Sequence, residues 1–392
     1  MGRHSDADAR NGAPQPQGRP VLSGWRRSQW FVGAWLLFAA ACGGEHAAAA
    51  EPARNFVYLS VPGAKRIDLY SQNAADGQLT KVAEQPTRGE AAALAVDPQR
   101  RYLFAAYRPE GQLAAYRRDS ATGRLTLINV VDAGIDPAHL AVDRSGRWLL
   151  AAYYVAAKVT VHRIGDDGAL SAVPQSQHAT TERAHAAVLS PDDRFAYVPH
   201  TGPNRIFAYR FDAARGDLEP ASPTLIRLPA DTGPRHGAFH PRLPVVYFNH
   251  EQGNAVQPFD WDVHSGQITP RPAVSTLPSG YDQPNATAEL KVHPSGRFVY
   301  CANRGHHSLA RFQVDPATGD LKALGQTPTE PTPRSFDLDP AGRFLYAGGE
   351  SSGKLAGYRI DESTGDLVRF GEWTVGPRLW WVLVVKGLAH SP

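Results

Sequence analysis

The sequence predicts an all-β chain: a seven-bladed β-propeller of four-stranded blades, closed by a C-terminal strand that completes the first blade. Two recurring phrases and one truncated repeat carry that prediction. The first phrase is Gly-x-Leu (or Ile) after an acidic stretch, with its glycine at Gly77, Gly123, Gly168, Gly216, Gly266, Gly319 and Gly365. The intervals are 46, 45, 48, 50, 53 and 46 residues, a near-constant period of the kind repeat architectures show. The second phrase is clearest as Val292-His293-Pro294-Ser295-Gly296-Arg297-Phe298, with cognates at Val142-Asp143-Arg144-Ser145-Gly146-Arg147 and Leu338-Asp339-Pro340-Ala341-Gly342-Arg343. Short alternating apolar runs joined by Asp, Pro and Gly turns read as four strands per unit and no helix. A two-sheet sandwich or a two-domain chain would not hold one period across the chain.

Taken in order, residues 1–23 are a polar extension rich in Gly, Pro and Gln, expected to be disordered. Residues 24–50 read as an export signal. Arg26 and Arg27 precede the apolar run Trp30–Ala41, which is too short to span a bilayer comfortably and ends in small residues. Cleavage within Ala47–Ala50 is one expected outcome. Lipidation of Cys42, which follows Ala39-Ala40-Ala41 and precedes Gly43-Gly44, is a second, and a retained anchor a third. Each places the mature part outside the cytoplasm, in the periplasm or secreted, and membrane contact is expected only through such a lipid or an uncleaved signal. Residues 51–392 form the propeller. Its first copy offers only three strands, Phe56–Val61, Arg66–Ser71 and Gln78–Ala83. The run from Pro377 to Val385 resembles the Pro-Arg start of an inner strand, as at Pro333-Arg334, and is expected to supply the fourth. Such closure leaves no open sheet edge.

Composition narrows the function. The 392 residues carry 36 Gly and 32 Pro, which favour turns over long helices. The net charge of +3 has no basic run behind it, so nucleic acid is not an expected partner. Cys42 and Cys301 cannot build a disulfide framework, and Cys301 is expected to be buried and inert. His306-His307 lacks the neighbouring carboxylates and imidazoles of a metal centre, so no metal site and no cofactor are expected.

In a propeller, the link into each inner strand and the turn between second and third strands open on one face. The starts of the inner strands would bring Arg88, Glu90, His139, His185, Arg235, His236, Arg334 and Arg378 there. The second-to-third turns would add Arg108, Tyr154, His200, Asn204, His250, Glu251, Arg304, His306 and Glu350. Six arginines face three glutamates in that set, so the mouth should attract a small anion. His185, Glu251, Arg235 and Arg304 fall on three neighbouring blades. A histidine and a carboxylate flanked by two guanidiniums can move a proton on an anionic substrate while the guanidiniums offset developing charge. The alternatives are a strand-capping role for His185 and a structural salt bridge for Glu251. His236, His306, Arg334, His200 and Arg108 are candidate substrate-binding residues, and a monomer is expected.

The phrases Gly233-Pro234-Arg235-His236-Gly237-Ala238-Phe239-His240-Pro241, Asn303-Arg304-Gly305-His306-His307 and Pro333-Arg334-Ser335-Phe336 resemble the seven-bladed propeller lactonases. That 6-phosphogluconolactonase-like group also contains the carboxymuconate lactonizing enzymes. The resemblance implies catalytic roles for His185, Arg235, Glu251 and Arg304, and no metal requirement. This chain departs from the pattern at His250 before Glu251, at His200-Thr201-Gly202-Pro203-Asn204 and at Gly348-Gly349-Glu350. The expected function is metal-independent hydrolysis of a small anionic or sugar-derived lactone. Glu251 or His185 would activate water, the other would assist the leaving alkoxide, and the arginines would hold the anion. A cycloisomerase using the same four residues and a non-catalytic, ligand- or protein-binding propeller are the alternatives.

Overall fold

A computed structural model describes residues 54–387. The polar extension, the export signal and Cys42 lie outside the described residues. The described residues form seven antiparallel sheets in sequence order, and in all but the first the strands follow one another in sequence order from the axis outward. Blade five splits its outer strand into Ile268–Pro270 and Val274–Ser275. The first blade is completed from the other end of the chain: Trp381–Val385 pairs antiparallel with Asn55–Val61, Phe56 opposite Val385 and Ser60 opposite Trp381. The closing strand starts two residues later than its apolar run, which begins at Leu379. Trp380 stays outside the ladder, its backbone N–H donating to Ser60 O at 3.0 Å.

The periodic glycines are joints between blades. The hydroxyl of Tyr58 donates to Gly123 O at 2.6 Å, Tyr197 to Gly266 O at 2.6 Å and Tyr247 to Gly319 O at 2.8 Å. Tyr346 of the last blade reaches Gly77 of the first at 2.6 Å, so the same stitch closes the ring. Each links a second-strand tyrosine to the outer turn of the following blade. Gly77 and Gly266 have φ of 80° and 75°. A Cβ there would lie 2.5 Å from Phe344 and 2.1 Å from Phe195 of the preceding blade. Sterics and handedness together therefore exclude any other residue. The second phrase is also a local device: Asp143 Oδ1 accepts from the backbone N–H groups of Arg147 and Trp148, and Asp339 Oδ1 from those of Arg343 and Phe344.

Apolar side chains between adjacent sheets form the core, as where Trp148, Val161 and Val198 pack together. Cys301 is wholly buried there, and burial pushes its thiol pKa well up. The inner strands Ala91–Val96, Pro137–Val142, Pro234–Phe239, Thr287–Val292 and Pro333–Leu338 each show a register shift near the mouth end. Such bulges re-aim the side chains that would otherwise alternate strictly. They shape the site.

Candidate active site

The start of the inner strand of blade five builds the centre of the site. Its bulge is filled by a side chain: His236 N–H donates to Asn249 Oδ1 at 2.8 Å, while Asn249 Nδ2 donates to Thr287 Oγ1 and Ala288 O. This turns Arg235 inward, where it is 2% exposed. Its Nη1 donates to Ala288 O and to His236 Nε2, and its Nε lies 2.9 Å from Glu251 Oε2. The Nε hydrogen is not aimed along that contact, which is an ion pair and not a linear hydrogen bond. Glu251 follows the second strand of the same blade and is anchored by its own N–H to Gly233 O at 2.6 Å. Arg304, on the turn of blade six, holds the same carboxylate oxygen at 3.3 Å and donates to Ala286 O and Thr287 O. Glu251 is thus clamped between two guanidiniums. Burial alone would raise its pKa, but Arg235, Arg304 and Arg334 together hold it below the usual carboxylate range.

His185 opens blade four. Its N–H donates to Pro199 O at 2.9 Å, and its ring packs edge-on against Tyr154 and tilted against His236. Nδ1 is buried without a hydrogen-bond partner. Burial, then the guanidiniums of Arg235, Arg108 and Arg334 and the adjoining His236 ring, hold the ring pKa well below 6.5, so the imidazole is neutral at neutral pH. Below it lie His236 and His139, with Trp381 against both rings. Burial lowers the His236 pKa to about 4, against the opposing pull of Glu289, and that of His139 to about 3.

A cavity of about 440 Å³ opens at this end of the ring. His185, Glu251 and Arg304 line it, and Arg235 stands directly behind Glu251. Arg108 and Arg334 line it too. Arg334 lies 3.7 Å over the Trp380 ring and donates to Glu350 at 3.4 Å. A cation on an indole face contributes about 0.5–2 kcal/mol. Burial, then repulsion from Arg235, outweighs Glu350 and brings the Arg334 pKa down to about 9, and Arg235 is brought down to about 10. Both remain charged. Burial accounts for most of that depression, and the mutual repulsion of the guanidiniums adds a part that a bound anion relieves.

Three candidate binding residues are not brought to the cavity. His236 sits beneath it, 3% exposed, with Nδ1 2.9 Å from Glu289 Oε1. His200 is fully buried because its Nδ1 bonds Val198 O and its ring packs on Phe207. His306 is held aside by Ser308 Oγ and the Tyr281 ring.

The charge excess is also smaller than the sequence suggests. Five guanidiniums (Arg108, Arg235, Arg304, Arg334, Arg378) meet four carboxylates (Glu90, Asp136, Glu251, Glu350), leaving five minus four, one unit. Asp136, pairing through both oxygens with Arg108, removes one unit, and Arg88, which does not line the cavity, removes the other. Asp136 precedes Pro137 at an inner-strand start, the position from which its reach could have been read. Pro62, Pro109, Ile135 and Trp380 complete an apolar wall.

Comparison with known proteins agrees with this architecture. A family model described as "Lactonase, 7-bladed beta-propeller" matches residues 40–129 and 91–384. The chain is 32% identical over 186 residues to a 6-phosphogluconolactonase of Pectobacterium carotovorum subsp. carotovorum, covering 47% of this chain and 55% of the relative. It is 30% identical over 203 residues to that of Bacillus subtilis, again covering 47% and 55%. The matches thus span about half the length of these curated relatives. Among solved structures, the Pseudomonas aeruginosa periplasmic gluconolactonase PpgL superposes with a TM-score of 0.79 at 24% identity, over 86% of this chain and all of that one. A Lactobacillus plantarum protein gives 0.77 at 23%, over 85% and all. With the family match extending over nearly the whole ring, from the first strand to the closing one, the chain belongs to the seven-bladed β-propeller lactonases.

Proposed function

We propose that the protein hydrolyses a small anionic or sugar-derived lactone at this cavity, using side chains of its own. The observation that carries the reading is the pairing of a neutral, unpartnered imidazole, His185, with a fully engaged carboxylate, Glu251, in one positively biased pocket. An ion-paired carboxylate with a depressed pKa is a poor base, whereas a neutral imidazole can take a proton. His185 removes the proton from water as its oxygen adds to the ring carbonyl. Arg304 and Arg334 face the developing oxyanion and the substrate's own anionic group. The tetrahedral intermediate then collapses with cleavage of the ring C–O bond. The imidazolium returns its proton to the leaving alkoxide, so that lactone and water become one hydroxy acid. Glu251 fixes Arg304 and Arg235 throughout.

The resemblance of the sequence start to an export signal supports an extracytoplasmic location, and the periplasmic gluconolactonase has the same fold. A panel of 6-phosphogluconolactone, gluconolactone and muconolactone tests the reading, with His185→Asn as control. Hydrolysis of one member that falls at least 100-fold in the variant is the expected result. Turnover unchanged by His185→Asn would remove the mechanism, and conversion of muconolactone into its isomeric muconate, with no water taken up, would assign the site to cycloisomerisation.

A further inference from the structure

On the face opposite the cavity, blade two carries a second groove of about 460 Å³, lined by Arg100, Arg101, Arg117 and Arg118, with Asp119 its one lining acid. We propose that this groove binds a phosphoryl-type oxyanion. Blade two departs from its sister blades at three positions.

Arg100 stands at the turn position where the N–H bonds back to the residue three earlier, as Gly146, Gly296 and Gly342 do in blades three, six and seven. Those glycines have φ of 71°, 73° and 73°; Arg100 holds φ of 60° in the same left-handed region. Asp193 of blade four is the other non-glycine at this position, with φ of 55°, and its side chain is in use, accepting from the Arg144 N–H. A side chain is strained there where glycine is free, which points to a use for the Arg100 side chain as well. Arg118 is the second exception. Its N–H bonds Arg101 O, just as Ile164, Phe211, Trp261, Val314 and Ile360 bond their own turns, and all five of those side chains are buried and apolar. Arg118 is 4% exposed. Its Nε donates to Tyr58 Oη and its Nη1 to Arg100 O, but Nη2 has no partner, and among the described residues no carboxylate ion-pairs with it. A guanidinium buried without a counter-charge is costly. The third difference lies on the outer strand. In the matching groove of blade four Arg210 faces Glu219; in blade two Arg117 faces Thr126. Asp119 does not compensate, because its Oδ1 caps its own turn at Thr122. Asp97, buried beside the groove, lies 3.9 Å from Arg101, so four guanidiniums against Asp119 and Asp97 leave four minus two, two positive charges, in a geometry suited to a multiply charged oxyanion.

Titration of the full chain with inorganic pyrophosphate at low ionic strength tests this. The mouth also attracts anions, so two sites are expected. Arg100→Gly installs the residue that blades three, six and seven carry and should melt no lower than the parent. It should weaken one site at least tenfold, whereas Arg304→Ala should weaken the other. Two sites indifferent to Arg100→Gly, or a single site abolished by Arg304→Ala, would overturn the proposal. Vesicles containing phosphatidylglycerol, compared with phosphatidylcholine alone, identify the source. Capture lost in Arg100→Gly assigns a lipid headgroup, and pyrophosphate binding without capture assigns a free phosphate compound.

Discussion

Arg235 Nη1 lies 3.2 Å from His236 Nε2, and a guanidinium can only donate, so that ring nitrogen is the unprotonated one. The proton therefore sits on Nδ1 and is donated to Glu289 Oε1 at 2.9 Å. A buried carboxylate thereby fixes a tautomer, the tautomer fixes a guanidinium, and the guanidinium fixes Glu251.

This makes Glu289 a positioning residue. In Glu289→Gln the amide oxygen can still accept the Nδ1 proton, and kcat should fall by about tenfold or less with KM nearly unchanged. Glu289→Leu leaves the imidazole N–H buried and unmatched. It should lose about 1–3 kcal/mol of stability and considerably more kcat. Steady-state kinetics with denaturant melts on both variants check this. Equal losses in kcat for Gln and Leu would show that Glu289 does not act through the His236 proton.

Glu251→Gln should separate catalysis from anion binding. It removes the shared counter-charge of Arg235 and Arg304, one of them nearly fully buried. Breaking such a pair costs about 3–5 kcal/mol at worst, and kcat/KM should drop about 100-fold. The pocket would also gain a positive charge, so a hydroxy-acid product should inhibit the variant more tightly than the parent. Weaker inhibition would mean that Glu251 itself contacts the ligand.

The pH–rate profile follows from His185. Its pKa is held well below 6.5, chiefly by burial. If the neutral ring is the base, kcat/KM should be flat through neutrality and should decline only at pH values below the ordinary imidazole range. Lowering Arg334 to Ala removes one of the cations that depress it, and the acidic limb should move upward. A limb that stays in place in Arg334→Ala would assign it to another group.

Much of the ring was legible because its repeat is dictated by contacts between neighbouring blades. A glycine that must avoid Phe344 or Phe195 leaves a mark at every period. The positions of His185, Arg235, Glu251 and Arg304 follow from the same period, since turn identity decides which face a residue occupies. Facing within an inner strand was not legible. The bulge between Thr287 and Leu290 breaks the alternation, so no count along the sequence reveals that Glu289 meets His236. His200 and His306 failed to reach the cavity for a local reason: a backbone carbonyl in one case and a serine hydroxyl in the other takes the imidazole nitrogen first.

Acid stability offers a test of the buried imidazoles as a set. Burial lowers the pKa of His139 to about 3, and those of His200, His236 and His250 to about 4, against 6.5 for an ordinary histidine. Above 6.5 both folded and unfolded chains hold these rings neutral, and they add no pH dependence. As the pH falls below that value the unfolded chain takes up protons that the folded chain refuses, so stability declines with falling pH until the folded rings titrate. Each unit of depression amounts to about 1.4 kcal/mol. Four such rings can therefore remove a large part of the roughly 5–15 kcal/mol that holds a domain together. Glu289, held well below its usual range by His236 and Lys291 against the effect of burial, works in the same direction at lower pH. Melting temperature should therefore be level from about pH 8 to about pH 7 and fall steeply between about pH 6 and about pH 4. His200→Phe, which replaces a ring already packed on Phe207, should flatten that fall without touching the cavity. A parent protein whose melting temperature holds steady to about pH 4 would mean that these rings are hydrated and not sealed in the propeller.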